Sequence, residues 1–242
     1  MSGHSKWNNI KNKKEKSDAQ KAKIFTKMGR ELAVAAKCGG ANPETNGRLK
    51  DAIAKARSYN MPNDNIARVI AKAAGEQNMD NFENITYEGY GPSGVAVIVE
   101  TLTDNRNRTA GDVRHFFDKF GGNLGTTGSV GWMFDRKGII VIENDGKTDE
   151  DTVMMDALDA GADDFSAEDD IFEISTEPDA FAGVRDALEG KGYKFETCEI
   201  QMIPQNYITL TDEHDILMME KLIDSLEDND DVQNIYHNWE EA

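Results

Sequence analysis

Within the segment 94–129, a continuous apolar run is followed by apolar residues at helical spacing. This change predicts a strand followed by a helix. Val95–Val99 is an unbroken run of apolar, mostly β-branched residues, which is typical of a strand buried on both faces. The polar stretch 101–109 predicts a loop, in which Thr109 can cap a helix. That helix has one apolar face, formed by Val113, Phe116, Phe117 and Phe120. The pattern therefore predicts a buried strand, a polar loop and an amphipathic helix in this order.

The N-terminal 80 residues predict a small helical bundle preceded by a basic arm. Residues 1–16 hold few apolar side chains, so we expect an extended arm there. Ser17 begins a capping-box pattern that opens a first helix. A second helix is predicted to open at Asn42-Pro43 and a third at Pro62, because asparagine and proline suit the first positions of a helix. Three short helices with short connections form a bundle.

Beyond a polar linker at 77–84, the pattern predicts mixed α+β structure. Val130–Phe134 is predicted to be a second strand, so that the segment starting at Val95 forms one β-α-β unit. Residues 137–204 then predict the order β-α-β-β-α-β, which is typical of a ferredoxin-like domain. The C-terminal residues add a strand at Tyr207–Leu210, a helix at Asp212–Leu226 and a last strand at Val232–His237. These elements supply the half that the first unit lacks.

We therefore predict an α+β multidomain fold with an N-terminal three-helix bundle followed by two ferredoxin-like domains, one inserted in the other. The insertion falls at the middle connection of the interrupted domain. The predicted domains are 1–80 for the arm and bundle, 81–136 with 205–242 for the discontinuous domain, and 137–204 for the inserted domain.

Charge is divided unevenly along the chain. The 242 residues carry a formal net charge of −18, with 27 Lys and Arg against 45 Asp and Glu. Residues 1–80 contain 16 basic and 8 acidic side chains, whereas the remainder contains 11 basic and 37 acidic ones. Because an acidic body repels nucleic acid, any phosphate contact must be concentrated on the basic segment and on local exceptions.

The sequence lacks the patterns of most other function classes. No apolar run approaches the ~20 residues of a membrane span, and no apolar segment follows the basic N-terminus, so we expect a cytoplasmic protein. The two cysteines and four histidines lack metal-ligand spacing, and no P-loop or nucleophile motif is present. Gly89, Gly91 and Gly94 match G-x-G-x-x-G, but they precede a strand instead of a helix. We therefore expect no cofactor, no metal and no catalytic residues.

The basic arm and the first helix are the main candidate nucleic-acid contacts. A mixture of lysines with one tryptophan suits stacking on an unpaired base while phosphates are neutralised. A merely solubilising tail is the alternative. The candidate residues of the arm are His4, Lys6, Trp7, Lys11, Lys13, Lys14 and Lys16. The first helix adds Lys23, Lys27 and Arg30 on the side opposite its apolar face.

A second candidate contact is the polar loop that follows the strand Val95–Val99. Its candidate residues are Asn105, Arg106, Asn107 and Arg108. Arginine forks beside asparagine amides at a strand end can contact phosphates or base edges. The alternative is that the two arginines pair with the acidic body of the protein.

Several separate motifs resemble the YebC family over nearly the whole chain. They are GHSKW at 3–7, NMP at 60–62, DNI at 64–66, YEGYGP at 87–92, TDNRNRT at 103–109, and GGNLG with GSV within 121–130. Two departures are Gln20, where many members have another basic residue, and Gly111 inside a helix. The resemblance implies a three-domain fold, no agreed catalytic residues, and a cytoplasmic factor in gene expression.

The same resemblance implies two kinds of regulator. Bacterial members are labelled probable DNA-binding transcriptional regulators, whereas mitochondrial relatives activate translation and some bacterial relatives look like ribosome-associated factors that ease synthesis of proline-rich stretches. We favour ribosomal or transfer RNA as the ligand, since an aromatic-basic arm with two ferredoxin-like modules suits folded or unpaired RNA at least as well as DNA. A DNA-binding regulator is the alternative, and an enzyme is a remote one. The sequence does not indicate the oligomeric state.

Overall fold

The computed structural model describes residues 18–75, 82–168 and 170–240, so the predicted arm lies outside the described residues. Helices and strands in these ranges are labelled in chain order. The helices are α1 (Asp18–Gly39), α2 (Gly47–Ser58), α3 (Asn63–Gly75), α4 (Arg106–Lys119), α5 (Glu150–Ala160), α6 (Phe181–Gly190) and α7 (Glu213–Asp228). The strands are β1 (Glu83–Tyr90), β2 (Ala96–Thr103), β3 (Asn123–Leu124), β4 (Phe134–Glu143), β5 (Asp164–Ala167), β6 (Ile171–Thr176), β7 (Phe195–Pro204), β8 (Ile208–Thr209), β9 (Val232–His237) and β10 (Trp239–Glu240).

The predicted α+β fold is confirmed. Three N-terminal helices precede a first sheet of order β3-β1-β2-β9 and a second sheet of order β5-β6-β4-β7. The second sheet and its helices α5 and α6 fall in the chain between β3 and β8, so they interrupt the α+β domain that contains the first sheet. The strand order of the second sheet is that of a ferredoxin-like domain, with its second-last strand between the first two.

The chain forms two compact units. One lies within Met1–Glu76 and Arg136–Gln201, and the other lies within Gln77–Asp135 and Met202–Ala242. The first unit thus combines the helical bundle with the second sheet, and the second unit contains the first sheet. The boundaries of the three domains given above remain predictions.

The first sheet is built from partly different strands than predicted. β1 was not predicted, yet it pairs antiparallel with all of β2, from Glu83 opposite Thr103 to Tyr90 opposite Ala96. The predicted linker at 77–84 is therefore wrong at its C-terminal end. The strand predicted at Tyr207–Leu210 is wrong in its partner, because β8 forms a separate parallel pair with β10. With β1 and β9 on the two sides of β2, both of its edges are already hydrogen-bonded.

Two further boundaries differ from the prediction for local reasons. The predicted strand Val130–Phe134 is a single 3-10 turn over Gly131–Met133, because its N-terminal backbone donates hydrogen bonds to a carboxylate instead of to a strand. The second helix begins at Gly47 and not at Asn42-Pro43. Asn46 is its N-cap, since the Asn46 side chain accepts from Leu49 N at 3.1 Å and donates to Ala35 O at 2.8 Å.

Strand β2 lies at the centre of the second unit, as its apolar run predicts. Val95, Val97 and Val99 pack with helices α4 and α7 in one core. Ala96 and Ile98 point to the opposite face and pack in a second core with Val130 and Phe134. All residues from Val95 to Val99 are at most 1% exposed. Each fully buried side chain of this size contributes about 1.5–3 kcal/mol, which makes this strand the main hydrophobic support of the first sheet.

Gly89 and Gly111 provide a matched test of this packing. A Cβ atom on Gly89 would lie 2.6 Å from the carbonyl oxygen of Asn123 and 2.8 Å from Cε1 of Phe117. We expect Gly89→Ala to lower the free energy of unfolding by about 1–3 kcal/mol, because overpacking forces the backbone to shift. Urea unfolding followed by circular dichroism measures this change.

The control is Gly111→Ala in helix α4, where a Cβ atom meets open space. Alanine there should raise the free energy of unfolding by about 0.4–1 kcal/mol, because the unfolded chain loses conformational freedom. A Gly89→Ala protein as stable as the Gly111→Ala protein would contradict the close approach of β1 to β3.

Candidate nucleic-acid interface

The two arginines of the second candidate contact lie in the first turn of a helix. Strand β2 continues to Thr103 and helix α4 begins at Arg106, so the loop predicted over 101–109 is wrong in extent. Asn105 is the N-cap, and its side-chain oxygen accepts from the backbone N–H of Arg108 at 3.1 Å. Thr109 is fully buried and does not cap the helix, because its hydroxyl bonds inward to Thr103 Oγ1 at 2.8 Å.

Arg108 is held by two carboxylates. Its Nη2 atom lies 2.7 Å from Asp104 Oδ1 and 2.7 Å from Asp231 Oδ2. The Asp231 side chain is only 6% exposed, and the same oxygen also accepts from the hydroxyls of Thr109 at 2.9 Å and Thr103 at 3.2 Å. Hydrogen bonds to Asp231 and then Asp104 raise the pKa of Arg108 above its ordinary value. Arg108 is thus an ion-pair partner within the protein, which is the alternative that the sequence leaves open.

Arg106 has a different environment. Its side chain is 65% exposed and its Nη2 atom lies 3.3 Å from Glu83 Oε2, on a side chain that is itself 46% exposed. Asn107 is exposed as well, whereas the Asn105 oxygen is occupied by the cap. A surface ion pair of this kind contributes little, about 0–1 kcal/mol, so a ligand phosphate can replace Glu83 at small cost.

The predicted residues of the first helix also differ among themselves. Lys23 is exposed, Arg30 is half-buried, and Lys27 is buried in the first unit. The structure brings them together on one helix, and it places Arg106 and Arg108 in the other compact unit. Seven predicted contacts lie outside the described residues, and they are His4, Lys6, Trp7, Lys11, Lys13, Lys14 and Lys16.

Basic side chains of helix α2 pair with acidic residues of the inserted domain. Lys50 Nζ lies 2.6 Å from Asp186 Oδ2, and Arg57 Nη1 lies 3.2 Å from Glu189 Oε1. Lys55, with a side chain 8% exposed, lies 3.2 Å from Glu199 Oε2. Part of the positive charge of the bundle therefore serves to hold the inserted domain and is not free for phosphates. The uneven charge of the sequence, with a basic N-terminal segment and an acidic remainder, could have predicted these ion pairs.

Arg185 of the inserted domain takes part in the same contact with helix α2. Its side chain is 1% exposed and forms ion pairs with Asp51 of helix α2 and with Asp186, the latter at 2.8 Å. Burial opposes its charge, but the two aspartates outweigh burial and raise the pKa of Arg185. Ala54 of α2 packs on the core of the second sheet. The bundle and the inserted sheet are thus joined by apolar contact and paired charge together.

Glu88 organises the glycine-rich turn that follows helix α4, a role that sequence reasoning did not predict. Its carboxylate accepts from the backbone N–H groups of Gly128 at 2.8 Å, Val130 at 2.9 Å and Gly131 at 2.7 Å. Burial alone would raise the pKa of Glu88, but the three donors outweigh it and hold the pKa below its ordinary value. The available signal was the motif YEGYGP, in which a charged residue precedes a glycine on a strand that faces the core.

The described residues contain no group of three His, Cys, Asp or Glu side chains that could hold a metal ion. Among the helices of the described ranges, none combines the length and the apolar character that crossing a membrane requires.

The fold and this interface define a class of protein with an N-terminal helical domain followed by two α+β domains. Two family models match the chain: the TACO1/YebC protein N-terminal domain over residues 5–76 and the TACO1/YebC second and third domain over residues 82–239. The chain belongs to the TACO1/YebC family, which confirms the resemblance found in its motifs.

Relatives and a solved structure support this membership. A "Probable transcriptional regulatory protein" of Acetivibrio thermocellus is 64% identical over 239 residues, which cover 99% of each chain. A protein of the same name from Finegoldia magna is 61% identical over 240 residues, again covering 99% of each. The "Crystal Structure of a Conserved Hypothetical Protein Aq1575 from Aquifex Aeolicus" is similar with a TM-score of 0.80 and 43% identity, covering 93% of this chain and 92% of that one.

Replacing Glu88 by Gln tests its role in the glycine-rich turn. At pH 7 we expect Glu88→Gln to lower the free energy of unfolding by about 1–3 kcal/mol, because the hydrogen bonds lose their charged acceptor. A carboxylate with a lowered pKa stabilises the fold above the unfolded pKa, near 4.5, and this stabilisation is lost as pH falls through the folded pKa. Urea unfolding of both proteins between pH 7 and pH 3 measures the difference.

The difference between the two proteins should be constant near neutral pH and shrink as the solution becomes more acidic. Glu220→Gln is the control, because Glu220 is exposed on helix α7. A loss of stability in Glu88→Gln that stayed the same at every pH would show that the charge of Glu88 has no part in it.

Proposed function

We propose that the protein is a non-enzymatic, nucleic-acid-binding regulator of gene expression that acts in the cytoplasm. The observation that carries the proposal is the charge division: 16 basic against 8 acidic side chains in residues 1–80 of a chain whose net charge is −18. The part of this charge that lies outside helix α2, whose cations pair with the inserted domain, can serve a polyanionic ligand that a uniformly acidic protein would repel. The names of the relatives, which describe regulatory proteins, support a role in gene expression.

We further propose that the ligand is ribosomal or transfer RNA and that the protein eases synthesis of proline-rich stretches on the ribosome. The aromatic-basic composition of residues 1–16 supports RNA, because proteins read RNA largely through unpaired bases and stacking. The resemblance to ribosome-associated members of the family supports the ribosome as the place of action. Arg106 at the start of α4 adds an exposed guanidinium for a phosphate.

A DNA-binding transcriptional regulator is the second candidate, and the names of the relatives favour it. The two functions differ in what the protein contacts in the cell. Crosslinking in cells followed by sequencing of the bound nucleic acid distinguishes them. Ribosomal or transfer RNA is the expected result, whereas enrichment of promoter DNA would overturn the choice of RNA.

Deleting residues 1–16 tests the basic arm. The deletion removes five lysines, and each lost phosphate contact should reduce the slope of log affinity against log salt concentration by roughly 0.7 for a single-stranded ligand. Fluorescence anisotropy with labelled RNA at several salt concentrations measures this slope.

The control is Lys147→Ala, which removes a lysine that is 85% exposed and lies 3.3 Å from Asp145 in the acidic part of the chain. It should leave the slope unchanged. If deletion of the arm leaves the slope unchanged as well, the arm is only a solubilising tail.

Arg106 and Arg108 should respond differently to truncation. Arg106→Ala should alter the free energy of unfolding by less than about 0.5 kcal/mol, because the side chain is largely exposed, and it should weaken RNA binding. Arg106→Lys should restore the affinity only in part, since lysine keeps the charge but loses the bidentate fork. Thermal melting and RNA anisotropy measure the two effects.

Arg108→Ala is the matched comparison in the same helical turn. It takes the guanidinium of Arg108 away from the buried Asp231 carboxylate, so the melting temperature should fall. If Arg106→Ala binds RNA as tightly as the parent, then Arg106 is not a contact and this part of the proposal is wrong.

A further inference from the structure

Trp132 is the most exposed large hydrophobic side chain in the described part of the chain, at 68%. It lies in the 3-10 turn that follows the glycine-rich turn held by Glu88. Trp239, in contrast, is 7% exposed and packs in the core of the first sheet. An indole left in water at a fixed place in a folded domain forgoes a large burial energy, and a partner that covers it would recover that energy.

The indole is held by its surroundings. Its Nε1–H donates to the carbonyl oxygen of Ser129 at 3.1 Å. Val130 and Phe134, on the two sides of the turn, are 0% and 5% exposed in the same core. The carbonyl oxygen of Met133 accepts from Gln205 N at 2.9 Å. The ring is therefore presented with a defined orientation, while its polar N–H is satisfied within the protein and does not require a partner.

The charge around Trp132 favours a polyanionic ligand over the rest of the surface. The stretch 119–134 contains no Asp or Glu in a chain that has 45 of them, and the exposed Asp118 and Asp135 that flank it are accompanied by the exposed cations Lys119 and Arg136. Glu88 lies next to the turn but is 7% exposed, and its oxygens are bonded to backbone N–H groups. The glycine-rich turn that precedes Trp132 in the sequence presents exposed glycines and the exposed, uncharged Thr126 and Thr127.

The shape of the surroundings favours a flat ligand. Protein-docking patches are contiguous apolar areas of several hundred Å², whereas the exposed neighbours of Trp132 in the turn are glycine and threonine. The Trp132 side chain is 68% exposed, which leaves much of the indole accessible to a planar group. A nucleobase offers a π-face of matching size and stacks on an aromatic ring irrespective of its sequence.

We propose that Trp132 is a stacking platform for one unpaired nucleobase of the bound nucleic acid. The inference rests on the proposed nucleic-acid-binding function and defines the ligand further: the strand that reaches this turn is single. The contact depends on the π-face of a base and not on the 2′-hydroxyl, so RNA and DNA single strands both satisfy it.

The experiment compares affinities of the full chain for labelled oligonucleotides by fluorescence anisotropy. The probes are single-stranded RNA of about 12 nucleotides, single-stranded DNA of the same sequence, and the corresponding RNA duplex. Trp132→Ala should weaken binding of both single strands by roughly 5- to 150-fold, the range that the loss of one stacked base produces. Duplex affinity should change by less than about twofold, because a duplex has no unstacked base to offer.

Two further variants separate stacking from folding. Trp132→Phe loses the N–H donor but keeps an aromatic face, so it should retain most of the single-strand affinity. Met155→Ala removes another side chain that is 61% exposed, in the inserted domain, and should leave all three affinities unchanged. Melting temperatures of the variants identify any loss of folded protein.

Each outcome has a defined meaning. Unchanged single-strand affinity in Trp132→Ala, with a parent that binds RNA, overturns the stacking role and leaves the proposed function standing. Equal loss of single-strand and duplex affinity shows that the indole supports the turn and does not stack, which overturns it too. If the parent binds none of the probes, the proposed function and the inference fail together.

Discussion

The buried carboxylate of Asp231 connects parts of the first sheet that are far apart in the sequence. Its side chain accepts hydrogen bonds from Arg108, Thr103 and Thr109, and its carbonyl oxygen accepts from Leu102 N at 2.7 Å. These bonds join the end of β2 and the start of α4 to the start of β9. The whole inserted domain lies between these elements in the chain, so the entropy of closing a long connection opposes their meeting. The bonds to Asp231 hold the start of β9 beside the end of β2.

The division of charge has two consequences that oppose each other. Basic residues in the N-terminal segment give an acidic protein a region that tolerates phosphates. The acidic inserted domain competes for the same side chains, since Lys50 and Lys55 of α2 already have carboxylate partners. Lys50 and Lys55 of helix α2 therefore stabilise the fold, as the apolar face of the helix does. A count of basic residues in residues 1–80 overstates the positive charge that is available to a ligand.

Much of the fold could be predicted because its strongest patterns are local. The run Val95–Val99 predicts a strand covered on both faces, and Val232–His237 was predicted with the bounds that the structure shows. β1 escaped prediction because Glu88 and Gly89 interrupt any hydrophobic alternation. Both residues have long-range reasons to be there: Glu88 binds the turn at 128–131, and Gly89 leaves room for β3.

The sequence identified Arg106 and Arg108 as candidate contacts, but it could not show that the two arginines have different roles. Arg106 and Arg108 look equivalent in the sequence, two residues apart in one polar segment. What separates them is Asp231, which lies 123 positions beyond Arg108 and cannot be assigned to it from spacing. The extent of α4 was missed for a similar reason, since Asn105 and Thr109 are both good caps and only the buried bonds of Thr109 decide between them.

The insertion also determines the order in which the protein can be completed during synthesis. The bundle and the inserted domain are built from residues up to Gln201, so all their partners leave the ribosome before the last strands do. The first sheet is complete only after β9 has been made. Arg108 likewise gains its partner Asp231 only after residue 231 has been made. Because domains generally fold as units while the chain emerges, a product that ends before residue 231 keeps a folded first unit but lacks the central pairing of the second. The helix turn that carries Arg106 and Arg108 therefore acquires its contacts to Asp231 only after residue 231 has been made.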